Sequence, residues 1–192
     1  NNKTKDYKKN SKKMLEVLYK KLNNKDFETE AHCKRVEKLA GRFAKTLNLK
    51  DEDIESIKKV ARIHDIGMVN IPSDIVNKKG ELTAEEYTIV KSHPEVGFRI
   101  ANSLNENSEI GQAILHHHEW WNGTGYPKQF RGKNIPLISR IISIVDAFDV
   151  MTHDQIYKEK TTIKEALERI EAMAGIQFDP ELSDIFVNKV IT

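Results

Sequence analysis

Apolar residues along this chain recur at the spacing of helices rather than strands. Between Asp26, a plausible N-cap, and Leu47, the residues Ala31, Val36, Leu39, Ala40, Phe43 and Leu47 share one face. Asp51 opens a second helix, in which Ile54, Ile57, Val60, Ala61 and Ile63 lead up to His64. Thr83-Ala84-Glu85-Glu86 has the form of a capping box. That helix is expected to end near His93, because Pro94 disfavours helical geometry in the residue before it. Another helix follows from Pro94 to Leu104, and Ser108 caps one running through His118. Asn122 to Pro136 contains three glycines and two prolines and predicts a loop. Leu137 to Met151 is a long apolar helix. Thr162 with Glu165 forms a second capping box, Gly175 is a stop signal, and Asp179-Pro180 is an N-cap followed by an N1 proline. Met14, Leu15, Val17, Leu18 and Leu22 predict a helix over about Lys8 to Asn23. It is either a helix packed on the domain's side or the end of a signalling linker that pairs in a dimer. No strand series and no repeat appear, so the expected fold is an all-α bundle.

Composition narrows the class. A chain of 192 residues is long enough for one domain with a substantial core. Residues 1–24, rich in lysine and asparagine, read as an appended linker, and 25–192 as the domain proper. No apolar run approaches the length of a membrane span, and the polar start has no secretory signal. The chain does not begin with Met, so it reads as a segment of a longer protein with an upstream domain. The lone cysteine, Cys33, excludes an internal disulfide and fits a reducing cytoplasm. With 31 basic and 29 acidic residues, no bulk nucleic-acid binding is expected.

The histidines carry the chemistry. His116-His117-His118 is an interior run that packing explains poorly, because each buried ring needs partners for two nitrogens. Metal ligation accounts for it better. Upstream, His64-Asp65 offers one nitrogen and one carboxylate able to bridge two cations. Downstream, Asp146 and Asp149 lie in the apolar run Ser143-Ile144-Val145-Asp146-Ala147-Phe148-Asp149, where a buried charge must be paired or bound to metal. Glu28 and His32 are spaced to share a helix face. Taken alone, that pair fits a solvated surface contact better than a ligand pair, and His93 before Pro94 reads as a helix-end residue. His116 is expected in a supporting or surface role, His153 in solvent, and Cys33 in packing.

The doublet His64-Asp65, the block His117-His118-Glu119 through Gly123-Thr124-Gly125-Tyr126-Pro127, and Gly175-Ile176-Gln177-Phe178-Asp179-Pro180 occur in that order. In these motifs, over about residues 26–190, the chain resembles the HD-GYP phosphodiesterases, a bacterial subgroup of the HD-domain metal-dependent phosphohydrolases. The resemblance implies an HD-domain helical bundle with additional C-terminal helices. It implies one metal site formed by His32, His64, Asp65 and Asp146. A second would be formed by Asp65, His93, His117 and His118, with Asp65 bridging. A third ion would need Glu28. Apart from the resemblance, Asp149, one turn after Asp146, is placed to orient a ligand or a bound water from behind. Two ions about 3.5–4 Å apart lower the pKa of a water held between them, and the resulting hydroxide attacks phosphorus. Nitrogen and oxygen ligands without a thiolate cluster suit iron or manganese, with nickel or zinc as alternatives.

The implied activity is hydrolysis of cyclic di-GMP to the linear dinucleotide, with further cleavage to GMP as an extension. The catalytic pair would be His64 and Asp65, with substrate contacts at Gly125, Tyr126, Pro127 and Lys158. Two departures from the family pattern stand out. Met68 occupies a position where the family usually has lysine, and Gln155 one where it often has arginine. Losing a phosphate contact predicts a slow enzyme. The alternatives are a low-turnover cyclic dinucleotide receptor and a phosphodiesterase for cyclic GMP-AMP.

Overall fold

The computed structural model describes residues 30–104, 108–153 and 160–191, together with residues 13, 14, 17, 18 and 20 near the start. Helix α1 (Glu30–Thr46) packs along α2 (Asp51–Ile63), and a 3₁₀ turn over Ile66–Asn70 follows. Then come the single turn α3 (Ser73–Val76), α4 (Ala84–Val90), α5 (His93–Ser103) and α6 (Ser108–Leu115). A long loop interrupted by a 3₁₀ turn (Gly132–Asn134) leads to α7 (Leu137–Thr152), α8 (Ile163–Ala172) and α9 (Pro180–Ile185), which continues into a π-helical turn over Phe186–Val190. Among the described residues the only β-type pairing is an isolated bridge between Ala174 and Phe178. The all-α expectation holds.

The core forms where the amphipathic faces of α1, α2 and α7 meet. Phe43 of α1 and Phe148 of α7 both pack on Phe186, with ring centroids 5.2 and 5.3 Å apart. Truncating a buried phenylalanine of this kind to alanine costs about 3–5 kcal/mol. Leu18, from the helical residues near the start, packs against this core, whereas Met14 and Val17 are exposed. Asp26 and most of the expected N-terminal helix lie outside the described residues.

Both expected capping boxes are present. Thr83 accepts from the Glu86 amide while the Glu86 carboxylate accepts from the Thr83 amide, and Thr162 and Glu165 make the same exchange. Asp179 caps α9 through the amides of Glu181 and Leu182. Three local expectations shift. Ala31 faces solvent instead of the core. His93 opens α5 instead of closing α4, because Pro94 sits in the first turn, where its missing amide donor is not needed. Helix α6 stops at Leu115, and residues 116–118 form turns.

Two glycines set the geometry of the site. A Cβ on Gly67, in the 3₁₀ turn, would lie 1.9 Å from the carbonyl oxygen of His93 and 2.7 Å from the amide nitrogen of Gly97. Only hydrogen fits there, so the segment carrying His64 and Asp65 lies directly against the start of α5. Gly125 allows the same close approach in the long loop: a Cβ there would lie 2.2 Å from the Trp120 amide nitrogen.

Candidate metal centre

Four elements and one turn bring their chemistry to one place. His32 comes from α1, His64 from the end of α2 with Asp65 beside it, His93 from the start of α5, His117 and His118 from the turn after α6, and Asp146 from α7. Their ligand atoms fall into two groups, Asp65 with His93, His117 and His118, and His32 with His64 and Asp146. Within each group the ligand atoms all lie within 4.8 Å of one another.

Asp65 joins the groups. Its Oδ1 lies 3.0 Å from Nε2 of His93 and 3.2 Å from Nε2 of His117. Its Oδ2 faces the other way, 3.7 Å from Nε2 of His64. Asp146 Oδ1 lies 3.5 Å from Nε2 of His32 and 3.7 Å from Nε2 of His64. The last two separations exceed hydrogen-bond length but suit two ligands about 2.0–2.2 Å from a common cation.

The imidazoles are oriented from behind. Nδ1 of His64 donates to the Ala61 carbonyl at 3.0 Å, that of His93 to Val90 at 2.7 Å, and that of His117 to Ile114 at 2.6 Å. A carbonyl can only accept, so each Nδ1 carries the proton, and in the neutral ring Nε2 presents a lone pair. Nε2 of His93 and Nε2 of His117 then face each other 3.3 Å apart. Two lone pairs at that distance repel unless a cation or proton lies between them. The donor set therefore fits divalent metal.

The protonation balance agrees. Burial pushes the His117 ring below the usual histidine value, against the pull of Asp65. Burial and the neighbouring His117 and His93 push His118 well below it. Burial would raise the Asp65 carboxyl. The neighbouring His64, His93 and His117 outweigh burial and hold it well below the usual range. His117 and His118 are thus disposed to stay neutral and Asp65 to stay ionised at neutral pH.

His32 is held differently. Its Nδ1 donates to Asp149 Oδ2 at 2.7 Å, and Asp149 is fully ringed. Arg35, one turn along α1, donates Nε to Oδ1 at 2.7 Å and Nη2 to Oδ2 at 2.8 Å. His153 Nδ1 also lies 3.2 Å from Oδ1, although its side chain stays partly exposed to solvent, as expected. Burial would raise the Asp149 carboxyl, but the bonds from His32 and Arg35 hold it low. Asp149 thus lies behind the His32 ring. Arg35 escaped the sequence reading; its signal was its spacing from His32, which matches that of Asp149 from Asp146.

The loop after the histidines is built on another residue the sequence reading passed over. Glu119 is buried, and its carboxylate accepts from the amides of Lys128 (2.6 Å) and Phe130 (3.1 Å). His116 lies within 3.4 Å of the same carboxylate and stacks on Phe130 at 4.4 Å, so it is a buried part of the loop's foundation. The Tyr126 amide donates to the His118 carbonyl, and its ring stacks on His118 with centroids 4.9 Å apart. Burial pushes the Tyr126 phenol up, so it stays protonated. Gly125 is buried beneath it. The third motif docks here too: Trp121 and Asn122 donate to the carbonyls of Gln177 and Ile176, and Arg140 donates to Asp179 at 2.6 Å. Met68 is buried among Ile71, Ile75 and Val76. Cys33 is buried, as expected of packing. Glu28, Gln155 and Lys158 lie outside the described residues.

The sequence matches the HD domain family over residues 16–182. It is 36% identical over 176 residues to a cyclic di-GMP phosphodiesterase of Thermotoga maritima, covering 91% of this chain and 48% of that protein. It is also 36% identical over 172 residues to the cyclic di-GMP phosphodiesterase response regulator RpfG of Xanthomonas campestris, covering 88% of this chain and 46% of the relative. A 3'3'-cGAMP-specific phosphodiesterase of Vibrio cholerae is 33% identical over 184 residues, with 95% of this chain and 35% of that protein covered. The chain thus spans about half or less of these relatives. Among solved structures, a cyclic GMP-AMP phosphodiesterase of V. cholerae superposes with a TM-score of 0.69 at 24% identity, over 91% of this chain and 47% of the other. The HD domain of the Listeria monocytogenes phosphodiesterase PgpH gives 0.62 at 16% identity, over 91% and 95%. Both likenesses speak to the fold.

Proposed function

The chain belongs to the HD domain family and carries the HD and GYP blocks of its HD-GYP branch, and from that premise we propose that it is a metal-dependent phosphodiesterase that opens cyclic di-GMP to the linear dinucleotide. The observation that carries this reading is Asp65, whose two oxygens face two separate groups of imidazole nitrogens. That is the arrangement of a two-ion site for in-line displacement at phosphorus. Iron or manganese suits the nitrogen and oxygen donors best. Bound there, such ions would lower the pKa of a shared water and neutralise phosphate oxygens.

The chain's own residues do the rest. His64, His93 and His117 keep their lone pairs aimed inward through their backbone bonds. Asp65 and Asp146 contribute negative charge, and His64 with Asp65 forms the catalytic pair. Tyr126 presents a protonated phenol beside His118 and would donate to a phosphate oxygen, with Pro127 shaping the loop and Gly125 giving it room. Lys158 is assigned a further phosphate contact, and Glu28 a third ion. An N-terminal helix that pairs two copies, and a sensor domain upstream, complete the proposal.

The test is anaerobic purification, elemental analysis, and chromatography of products from cyclic di-GMP and cyclic GMP-AMP. Two or three transition-metal ions and conversion of cyclic di-GMP to the linear product are expected. Faster cleavage of cyclic GMP-AMP would reassign the substrate. Tight binding without turnover under any metal would make the chain a receptor.

A further inference from the structure

We propose that Lys91 is a specificity residue of this centre, holding the phosphodiester of the cyclic dinucleotide that is not being cleaved. The inference rests on the substrate class just proposed. A cyclic dinucleotide carries two phosphodiesters on one ring, each with a negative charge. Only one can occupy the ions during a turnover, so the other needs a cation away from them.

Among the described residues, which leave out Lys158, the structure restricts where that cation can come from. At residue 68 the side chain is apolar and buried. Lys128 is committed to Glu95 at 2.9 Å, Lys78 to Glu86 at 2.6 Å, and Arg35 to Asp149. Lys91 stands apart. Its Nζ lies 4.4 Å from the ring centroid of Tyr87 and 5.3 Å from that of Tyr126. Tyr126 in turn stacks on the candidate ligand His118, and Lys91 is two residues ahead of His93. None of the ion pairs among the described residues involves Lys91. Aromatic faces hold an ammonium in place without neutralising it, so its charge stays available to an anion. A flexible lysine suits this task, since a phosphodiester at the rim offers a point charge rather than a fixed two-pronged partner.

The experiment compares wild type, Lys91→Met and Lys91→Arg at matched metal content, with cyclic di-GMP and with bis(p-nitrophenyl) phosphate, which has one phosphodiester only. Lys91→Met is expected to raise KM for cyclic di-GMP roughly five- to ten-fold, as for a half-exposed charged contact. Its kcat, its metal content and its rate on the small diester should hold, and Lys91→Arg should recover most of the KM. Unchanged KM in Lys91→Met overturns the proposal. So does parallel loss on both substrates, which would place Lys91 at the reacting phosphate or in the scaffold. Wild-type protein that cleaves the small diester but neither binds nor cleaves a cyclic dinucleotide would instead sink the substrate reading, and this proposal with it.

Discussion

Three of the candidate ligand rings and a fourth are held by different means, and the difference predicts how each half of the centre fails. His64, His93 and His117 are aimed by carbonyls three residues earlier in the chain. No side-chain substitution removes those acceptors, so that part of the centre is as durable as the backbone itself. His32 is aimed by Asp149, 117 residues away, and through it by Arg35. A carboxylate behind an imidazole makes the ring more basic toward a cation than a neutral carbonyl does. It also makes the His32 half depend on two other side chains staying in place.

The sharpest challenge to this contrast is a substitution that should ignore it. Asp65→Ala removes the residue facing both groups, and elemental analysis is expected to show both main ions lost. Loss of one alone would end the bridging assignment. Asp149→Ala should separate the halves: affinity at the His32 half falls about 10–100-fold, while the His93–His117 half keeps its ion. Metal titration of the stripped protein would show one weakened and one intact binding step, and equal weakening of both would erase the distinction. Arg35→Met should act in the same direction but less, because the His32–Asp149 bond survives it; an effect as large as that of Asp149→Ala would mean that the arginine, not the carboxylate, positions the ring.

The smallest effect lies outside the centre. Hydrogen bonds from the Thr162 backbone and side chain hold the exposed Glu165 carboxyl below its usual value of about 4.5. A folded-state pKa lowered in this way contributes stability above the unfolded value and loses it as pH falls through the folded one. Glu165→Gln should therefore lower the melting temperature slightly at neutral pH, with the gap from wild type closing below about pH 4. Metal content should not change, and a gap that stays constant with pH would remove the carboxylate from the account.

Local signals in the chain translate directly into structure. Capping boxes at Thr83 and Thr162 and the Asp179 cap are defined within four residues, and each formed as expected. The cluster of candidate ligands was legible because histidine and aspartate in apolar stretches have few other uses, and because the motifs resembled a known family. Arg35 and Glu119 were not legible. Charged residues near a helix face or in a loop ordinarily face water, and nothing nearby in sequence shows that Arg35 meets a carboxylate 114 residues on. Met68 stands out in sequence for the charge it lacks, and the structure adds a packing role that the motif does not reveal.

The carbonyls that aim three of the rings have a second consequence. Ala61, Val90 and Ile114 lie in the last turns of α2, α4 and α6, where carbonyls have no partner further along the helix. Three helices thus end on the centre, each bringing the negative end of its dipole, equivalent to roughly half an elementary charge, against the one positive end that α5 brings at His93. Together with Asp65 and Asp146, they give the site a field that favours cations before any ion arrives. The same field would repel a phosphate from the site until its ions are in place, so metal loading should come before substrate.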